Sequence, residues 1–264
     1  MKLGFIGTGN MAGAIMGGVI AKGLVKPEDV IGADVFAPSR EKVQAQYGIK
    51  VTADNSEVMA NADVVVLSVT PQFFAEVISG IKDSVREGQL FISIAPGKTI
   101  EWISQQFGQE IKLVRVMPNT PALVGEGMSG AVASASCSDE DKALAQSILE
   151  SFGKVEFVAE KLMDTVTAVS GSSPAYVFML IEAMADAAVL GGMPRPQAYK
   201  FAAQAVLGSA KMVLETGKHP GELKDMVCSP AGTTIEAVRI LEDKGFRSAI
   251  IEAQKACEEK SRSL

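Results

Sequence analysis

The fold assignment rests on Lys2-Leu3-Gly4-Phe5-Ile6-Gly7-Thr8-Gly9-Asn10-Met11-Ala12-Gly13. Residues 2–7 predict a short apolar strand, and Ala14-Ile15-Met16, continuing to Lys22, predicts a helix. Between them lies a Gly-x-Gly-x-x-Ala turn. Gly7 permits the tight turn, Gly9 lets the backbone approach a pyrophosphate, and Ala12 lets the helix lie close on the strand. Alone the motif is weak. Flanked by strand and helix, it points to a dinucleotide site.

Downstream, strand and helix patterns alternate. Val30-Ile31-Gly32-Ala33-Asp34 reads as a second strand. An acid at that end, here Asp34, normally accepts from the ribose 2′-hydroxyl and favours NAD. Ser39, Arg40 and nearby Lys42 could instead hold a 2′-phosphate and favour NADP. Ser39 is equally well read as the N-cap of a helix over 40–47. Val64–Val69 is a continuous apolar run, the mark of a strand buried on both faces. Thr70-Pro71-Gln72 then opens a helix. Leu90–Ile94 ends at Ala95-Pro96-Gly97, and Thr99 caps the helix around Trp102. Ile111–Val116 is the next strand, and 131–135 and 154–158 complete the set. The expected class is α/β, with a doubly wound parallel sheet of the Rossmann kind over residues 1–160. Gly7, Thr70 and Ala95 all fall at C-terminal strand ends, where ligands bind in such sheets.

After residue 160 the strand pattern stops. Helices are predicted at 163–170, 173–190, 195–216, 221–228, 233–243 and 245–260, so 161–264 reads as an all-helical domain. The Gly-Ser-Ser-Pro at 171–174 and the Gly-Gly-Met-Pro at 191–194 punctuate it. Ala175–Leu190 is nearly apolar all round. A helix of that kind needs cover on more than one side, so a dimer through this domain is expected. Glu182 and Asp186 break the apolar surface at i, i+4 and read as bridges to a neighbouring helix rather than as an acid–base pair.

Composition narrows the function classes. A net charge of −6 argues against nucleic acid. The longest apolar runs are broken by charge or glycine well short of the roughly 20 residues a membrane span needs. Met1–Gly7 has no signal-peptide pattern, so a cytoplasmic protein is expected. Cys137, Cys228 and Cys257 form no Cys-x-x-Cys pair, and His219 is the only histidine. No metal site and no Ser-His-Asp triad is expected.

Ser229-Pro230-Ala231-Gly232-Thr233-Thr234 separates two helical patterns. A helix starting at Gly232 or Thr233 leaves its first N–H groups unpaired, which suits a small anion. The alternative is that Thr233 simply caps the helix. A β-hydroxyacid dehydrogenase would carry a Lys and an Asn on the helix after the turn at 171–174. Ala175-Tyr176-Val177-Phe178 has neither. A dinucleotide-binding sensor without catalysis is a third reading, and the intact 229–234 segment argues against it.

With these motifs the chain resembles the pyrroline-5-carboxylate reductase family. The carriers are Gly7–Ala12, Arg115-Val116-Met117-Pro118-Asn119-Thr120-Pro121, Gly171–Tyr176 and Met226–Glu242. The resemblance implies NADPH, with NADH as the alternative, and reduction of the C=N bond of 1-pyrroline-5-carboxylate to L-proline. The motif reading and the resemblance together give cofactor contacts from Gly7, Gly9, Asn10, Met11, Ala12, Asp34, Ser39, Arg40, Asn55, Val69, Thr70, Pro71, Ala95 and Gly97; Asn55 matches the family's adenosine-side Asn, and Asp34 is unusual for a family that mostly prefers NADPH. Ser229, Gly232 and Thr233 would hold the substrate carboxylate, and Thr234 would meet the imine nitrogen as the catalytic contact. A homodimer is implied, in some members built into a ring of dimers. Where the family has Val-Lys-Pro-Gln, this chain has Val69-Thr70-Pro71-Gln72, so a lysine near the cofactor is missing.

Overall fold

The computed structural model describes residues 1–263. Contacts divide the chain into two compact units, Met1–Ser172 with Cys257–Leu264, and Ser173–Ala256.

The first unit is built on an eight-stranded sheet of order β3-β2-β1-β4-β5-β6-β7-β8. Its strands are β1 (Leu3–Ile6), β2 (Val30–Ala33), β3 (Lys50–Thr52), β4 (Val64–Leu67), β5 (Leu90–Ser93), β6 (Lys112–Met117), β7 (Gly127–Ala133) and β8 (Gly153–Phe157). Between them run α1 (Asn10–Ala21), α2 (Ala37–Tyr47), α3 (Asn55–Asn61), α4 (Phe74–Ile81), α5 (Ile100–Phe107) and α6 (Asp139–Leu149). Alternating strand residues feed two separate cores. Phe5, Val66 and Ile92 join Ile15, Met16 and Phe152 in one. Ile6, Leu67 and Phe91 join Val58, Ile78 and Phe107 in the other. Each such buried side chain contributes about 1.5–3 kcal/mol of transfer free energy. Helices on both faces explain why β4 reads as four consecutive buried apolar residues.

The sheet is parallel except at one pair: β6 and β7 run antiparallel. Only a short 3-10 turn, Thr120–Val124, lies between them. A parallel return needs a crossover of a dozen or more residues, so this connection permits only the antiparallel partner. Strand β7 begins at Gly127, earlier than the pattern at 131–135. Glycine and serine dilute its apolar signal, and Asn119 Oδ1 anchors its start by accepting from the Met128 N–H at 2.8 Å.

Helix α6 carries a capping box. Ser138 Oγ accepts from the Asp141 N–H, and Asp141 accepts from the Ser138 N–H. The Lys112 ammonium lies 2.9 Å from the same carboxylate. Burial pushes the Asp141 carboxyl up, but the Lys112 bond and the Ser138 bonds outweigh it and hold it below the ordinary value. A lowered native value stabilises the fold above the ordinary carboxylate range, and that contribution is lost as pH falls through the native value. Asp141→Ala should therefore cost about 1 kcal/mol at neutral pH. The difference from wild type should shrink as pH drops below about 4. Urea denaturation at the two pH values reads both effects.

The chain after β8 stays with the first unit as far as Ser172. Here α7 (Met163–Val166) runs into a π turn at Thr167–Gly171. Met163 and Ala168 are buried. A Cβ on Gly130 of β7 would lie 2.6 Å from Val166. That close packing holds this stretch against the sheet.

The second unit contains α8 (Ser173–Leu190), α9 (Arg195–Thr216), α10 (Pro220–Val227), α11 (Thr233–Asp243) and most of α12 (Phe246–Arg262). Helix α8 packs on α9, and Asp186 pairs with Arg195 across their turn, as a bridging role predicts. Very little of this unit is buried within the chain. Phe178 and Met179 of α8 are 62% and 68% exposed. The turn expected at 171–174 does not interrupt the helical run, because the π turn carries the chain straight into α8. The run Glu160–Leu190 is thus long and apolar enough to cross a membrane by length and composition, with a mean hydropathy of 1.4 over an 18-residue stretch. This corrects the expectation of short, broken runs.

Candidate active site

In the first unit, the cofactor candidates follow the carboxyl ends of the strands in spatial order. The pairing aligns Thr52 of β3 with Ala33 of β2, Ile6 of β1, Leu67 of β4 and Ser93 of β5. After those residues come Asn55, Asp34, Gly7–Ala12, Val69–Pro71 and Ala95–Gly97 respectively. The strand order reverses between β1 and β4, the crevice where open α/β sheets take their ligands.

Gly7 sits at φ 98°, and a Cβ there would lie 2.7 Å from the Ser68 carbonyl. Ser68 Oγ in turn donates to the Gly7 carbonyl at 2.7 Å. Gly9 is the N-cap of α1, with no side-chain cap and no acid in the first turn. A Cβ on Gly9 would meet nothing within 4 Å. The first N–H groups of α1 are therefore open to an anion approaching an uncrowded backbone, and the loop fits a pyrophosphate. Ala12 is buried against the core of β1, whereas Met11 only packs at its margin. Asn10 is exposed, and Lys42 Nζ reaches its Oδ1 at 3.4 Å.

A cavity of about 280 Å³ adjoins this turn, lined by Thr8, Gly9, Asn10, Lys42, Tyr47 and Leu123 among others. Burial pushes the Tyr47 phenol up against a hydrogen bond with Gln46 that pulls it down, so it stays neutral.

Asp34 stands at the end of β2, and Arg40 donates to its backbone carbonyl. Ser39 is not an N-cap. Helix α2 starts earlier, at Ala37, with Phe36 as its N-cap and Pro38 in its first turn. Asn55 opens α3 behind the cap Asp54, and both Asn55 and Ser39 are half-buried. Thr70 is exposed and precedes the 3-10 turn at Pro71–Phe73, and Val69 packs at the edge of the second core. Ala95 is buried, and Gly97 sits at φ 73° beside a second cavity of about 400 Å³. There the buried Arg115 donates to Glu160 at 3.0 Å, and Glu160 also accepts from the Ile100 N–H that starts α5.

Two residues passed over in the sequence prove to hold the loop, Thr8 and Ser68. Thr8 lies inside the glycine motif as a variable position. Ser68 follows directly on β4, and a hydroxyl inside the apolar run 64–69 was its available signal.

In the second unit, α10 begins after His219, whose Nδ1 accepts from the Gly221 N–H at 3.0 Å. The sole histidine is thus a helix cap. The turn after α10 closes where the Gly232 N–H donates to the Ser229 carbonyl at 3.0 Å. A Cβ on Gly232 would lie 2.3 Å from Ser229 Oγ, so a side chain there would displace the Ser229 hydroxyl. Ala231 is held at φ 55°, the one positive-φ non-glycine among the described residues, at a cost of about 1–3 kcal/mol. The N-cap of α11 is Gly232, not Thr233, and it offers no side-chain cap. Thr233 and Thr234 are the first two helical residues, Thr233 exposed and Thr234 half-buried. Ser229, Gly232, Thr233 and Thr234 thus share one turn whose leading N–H groups no capping side chain takes. Among the described residues no cluster of His, Cys, Asp or Glu could hold a metal.

Known proteins match this arrangement along the whole chain. Residues 160–264 match the family described as pyrroline-5-carboxylate reductase dimerisation. Residues 2–97 match the one described as NADP oxidoreductase, coenzyme F420-dependent. The pyrroline-5-carboxylate reductase of Escherichia coli K12 is 55% identical over 100% of this chain and 98% of its own length. The chain belongs to the pyrroline-5-carboxylate reductase family. The reductase of Methanosarcina acetivorans is 45% identical over 100% of this chain and 97% of its own. Among solved structures, the pyrroline-5-carboxylate reductase of Coxiella burnetii superposes with a TM-score of 0.92 at 36% identity, covering 99% of this chain and 97% of that one. That of Plasmodium falciparum with NADP bound gives 0.91 at 32%, covering 100% and 97%. This member of the pyrroline-5-carboxylate reductase family is an NAD(P)-dependent oxidoreductase with a small-molecule substrate, and it is a homo-oligomer.

Proposed function

We propose that this chain reduces 1-pyrroline-5-carboxylate to L-proline, with NADPH as the preferred donor and NADH as the alternative. The observation that carries the reading is the uncapped start of α11 at Gly232-Thr233-Thr234, in a chain whose family acts on a small cyclic carboxylate. When bound, the dinucleotide supplies the hydride that the imine carbon receives.

The protein's own part is mainly to bind and position. The Gly7–Ala12 turn takes the pyrophosphate on open backbone N–H groups. Asn55, Ser39 and Arg40 serve the adenosine half, and Val69–Pro71 with Ala95 and Gly97 serve the other half. Ser229, Gly232 and Thr233 hold the substrate carboxylate: the Ser229 hydroxyl and the Thr233 N–H donate to it, the helix dipole favours it, and Gly232 shapes the turn. The Thr234 hydroxyl accepts from the protonated imine nitrogen. A protonated imine is already a strong electrophile, so the chain needs no strong acid or base of its own. Glu182 and Asp186 are left out of the chemistry, and Asp186 is already paired with Arg195.

In this reading residues 1–160 bind the cofactor, and 161–264 bind the substrate and form the dimer. The exposed apolar residues of α8 and α9, such as Phe178, Met179 and Phe201, support burial against a second copy. The apolar run Glu160–Leu190 then faces protein rather than lipid, in keeping with a cytoplasmic location. A larger ring of dimers is the assembly implied by the resemblance.

The test is a substrate panel with the purified chain. NADPH should be consumed with 1-pyrroline-5-carboxylate, and 3-hydroxy acids should give no reduction of NADP⁺. Turnover with hydroxy acids and none with the imine would overturn the proposal. Tight dinucleotide binding with no turnover on either would favour a sensor.

A further inference from the structure

Asp34 occupies the place where an acid normally accepts from the cofactor ribose, yet its carboxylate is already engaged. Oδ2 accepts from the Thr8 backbone N–H at 2.8 Å and from the Thr8 hydroxyl at 3.1 Å. Oδ1 accepts from the Phe36 N–H at 2.9 Å. A carboxylate offers about four acceptor positions, and these donors use most of them. Thr8 is only 3% exposed, and its methyl packs over Gly32 in the space a Cβ there would need, 2.9 Å from it. Next to it, the Gly7 N–H donates to the Ala33 carbonyl at 2.7 Å. The end of β2 and the Gly7–Ala12 turn are thereby tied through Thr8.

We propose that Asp34 is a positioning residue for the glycine-rich turn: through Thr8 it fixes the backbone that receives the pyrophosphate, and it does not select between NADH and NADPH. The proposal rests on the dinucleotide reading above. The pyrophosphate is common to both cofactors, so a brace acting there affects both alike. An acceptor for the 2′-hydroxyl acts on NADH, because NADPH carries a phosphate at that oxygen.

The experiment measures Kd for NADH and for NADPH by nicotinamide fluorescence, with no substrate present, in wild type and Asp34→Ala. Both Kd values should rise together by about tenfold, the size of one lost charge-assisted bond. Their ratio should stay within about threefold of wild type, and kcat at saturating cofactor within about twofold, margins well inside one factor of ten. A simply destabilised fold would lower kcat and the melting temperature together. Thr8→Val gives a second reading that keeps the Asp34 charge. It removes one bond of the brace and should weaken both cofactors in parallel, about threefold. If Asp34 does not fold as alanine, Thr8→Val is judged by the same criteria. A loss confined to NADH, a larger change in the ratio, or unchanged affinity for both would overturn the proposal. Wild-type chain that binds both dinucleotides but does not reduce the imine would count against the reaction and leave the affinity ratio readable.

Discussion

Gly9→Val should leave the protein folded and remove dinucleotide binding, with Kd raised at least about 100-fold, since two or more phosphate hydrogen bonds are lost. The two halves of that result have separate causes. The backbone of Gly9 lies at φ −68° and ψ −174°, extended geometry that valine adopts readily. A Cβ there meets nothing within 4 Å, so no neighbour has to move. On the proposed site, the space it fills is the space a pyrophosphate would enter. Gly7 makes the contrast. Its φ of 98°, and a Ser68 carbonyl only 2.7 Å from where a Cβ would stand, tie it to the fold itself. Melting temperature and cofactor titration of Gly9→Val read the two halves independently. Cofactor affinity within about threefold of wild type would show that the turn is not where the dinucleotide binds.

Thr234→Ala should lower kcat by about 10- to 100-fold, the range of a charge-assisted hydrogen bond made in the transition state. The KM for NADPH should change little, because Thr234 belongs to the second unit and the residues proposed for the cofactor belong to the first. Thr234 is the second residue of α11, and Gly232 is the cap. Removing its hydroxyl thus takes away no cap, and the backbone N–H groups proposed for the carboxylate survive. Thr233→Val is the matched control. It also keeps the N–H and should raise the substrate KM only modestly. An unchanged kcat in Thr234→Ala would remove Thr234 from the chemistry.

Much of the architecture was legible because each signal had one physical meaning. The apolar run at 64–67 can be buried on both faces only in a sheet covered by helices on both sides. The Gly7–Ala12 spacing acquires its meaning from the strand before it and the helix after it. Thr99 was recognisable as a cap, and its Oγ1 accepts from the Trp102 N–H at 3.0 Å. What escaped depended on tertiary partners. The antiparallel β7 follows from the short turn after Asn119, and periodicity carries no direction. Ser39 resembled a cap, but α2 starts sooner, at Ala37, with Pro38 in its first turn. Gly171-Ser172-Ser173-Pro174 has turn composition, yet Pro174 sits just after the π turn at the start of α8, and the Ser170 carbonyl four residues before it accepts instead from Asn119 Nδ2 at 3.1 Å. Asp34 was legible as an acid at a strand end, but its engagement by Thr8 and Phe36 could not be read from spacing.

The central claim is that this chain passes hydride from a nicotinamide to the carbon of a cyclic imine. Its most direct test uses NADPH deuterated at the transferable position of the nicotinamide, with 1-pyrroline-5-carboxylate as substrate and the product examined by mass spectrometry and NMR. The expected product is proline carrying one deuteron on the ring carbon that was double-bonded to nitrogen, formed in equal amount to the NADPH consumed. Proline without the label, or NADPH consumption with no proline, would contradict the account.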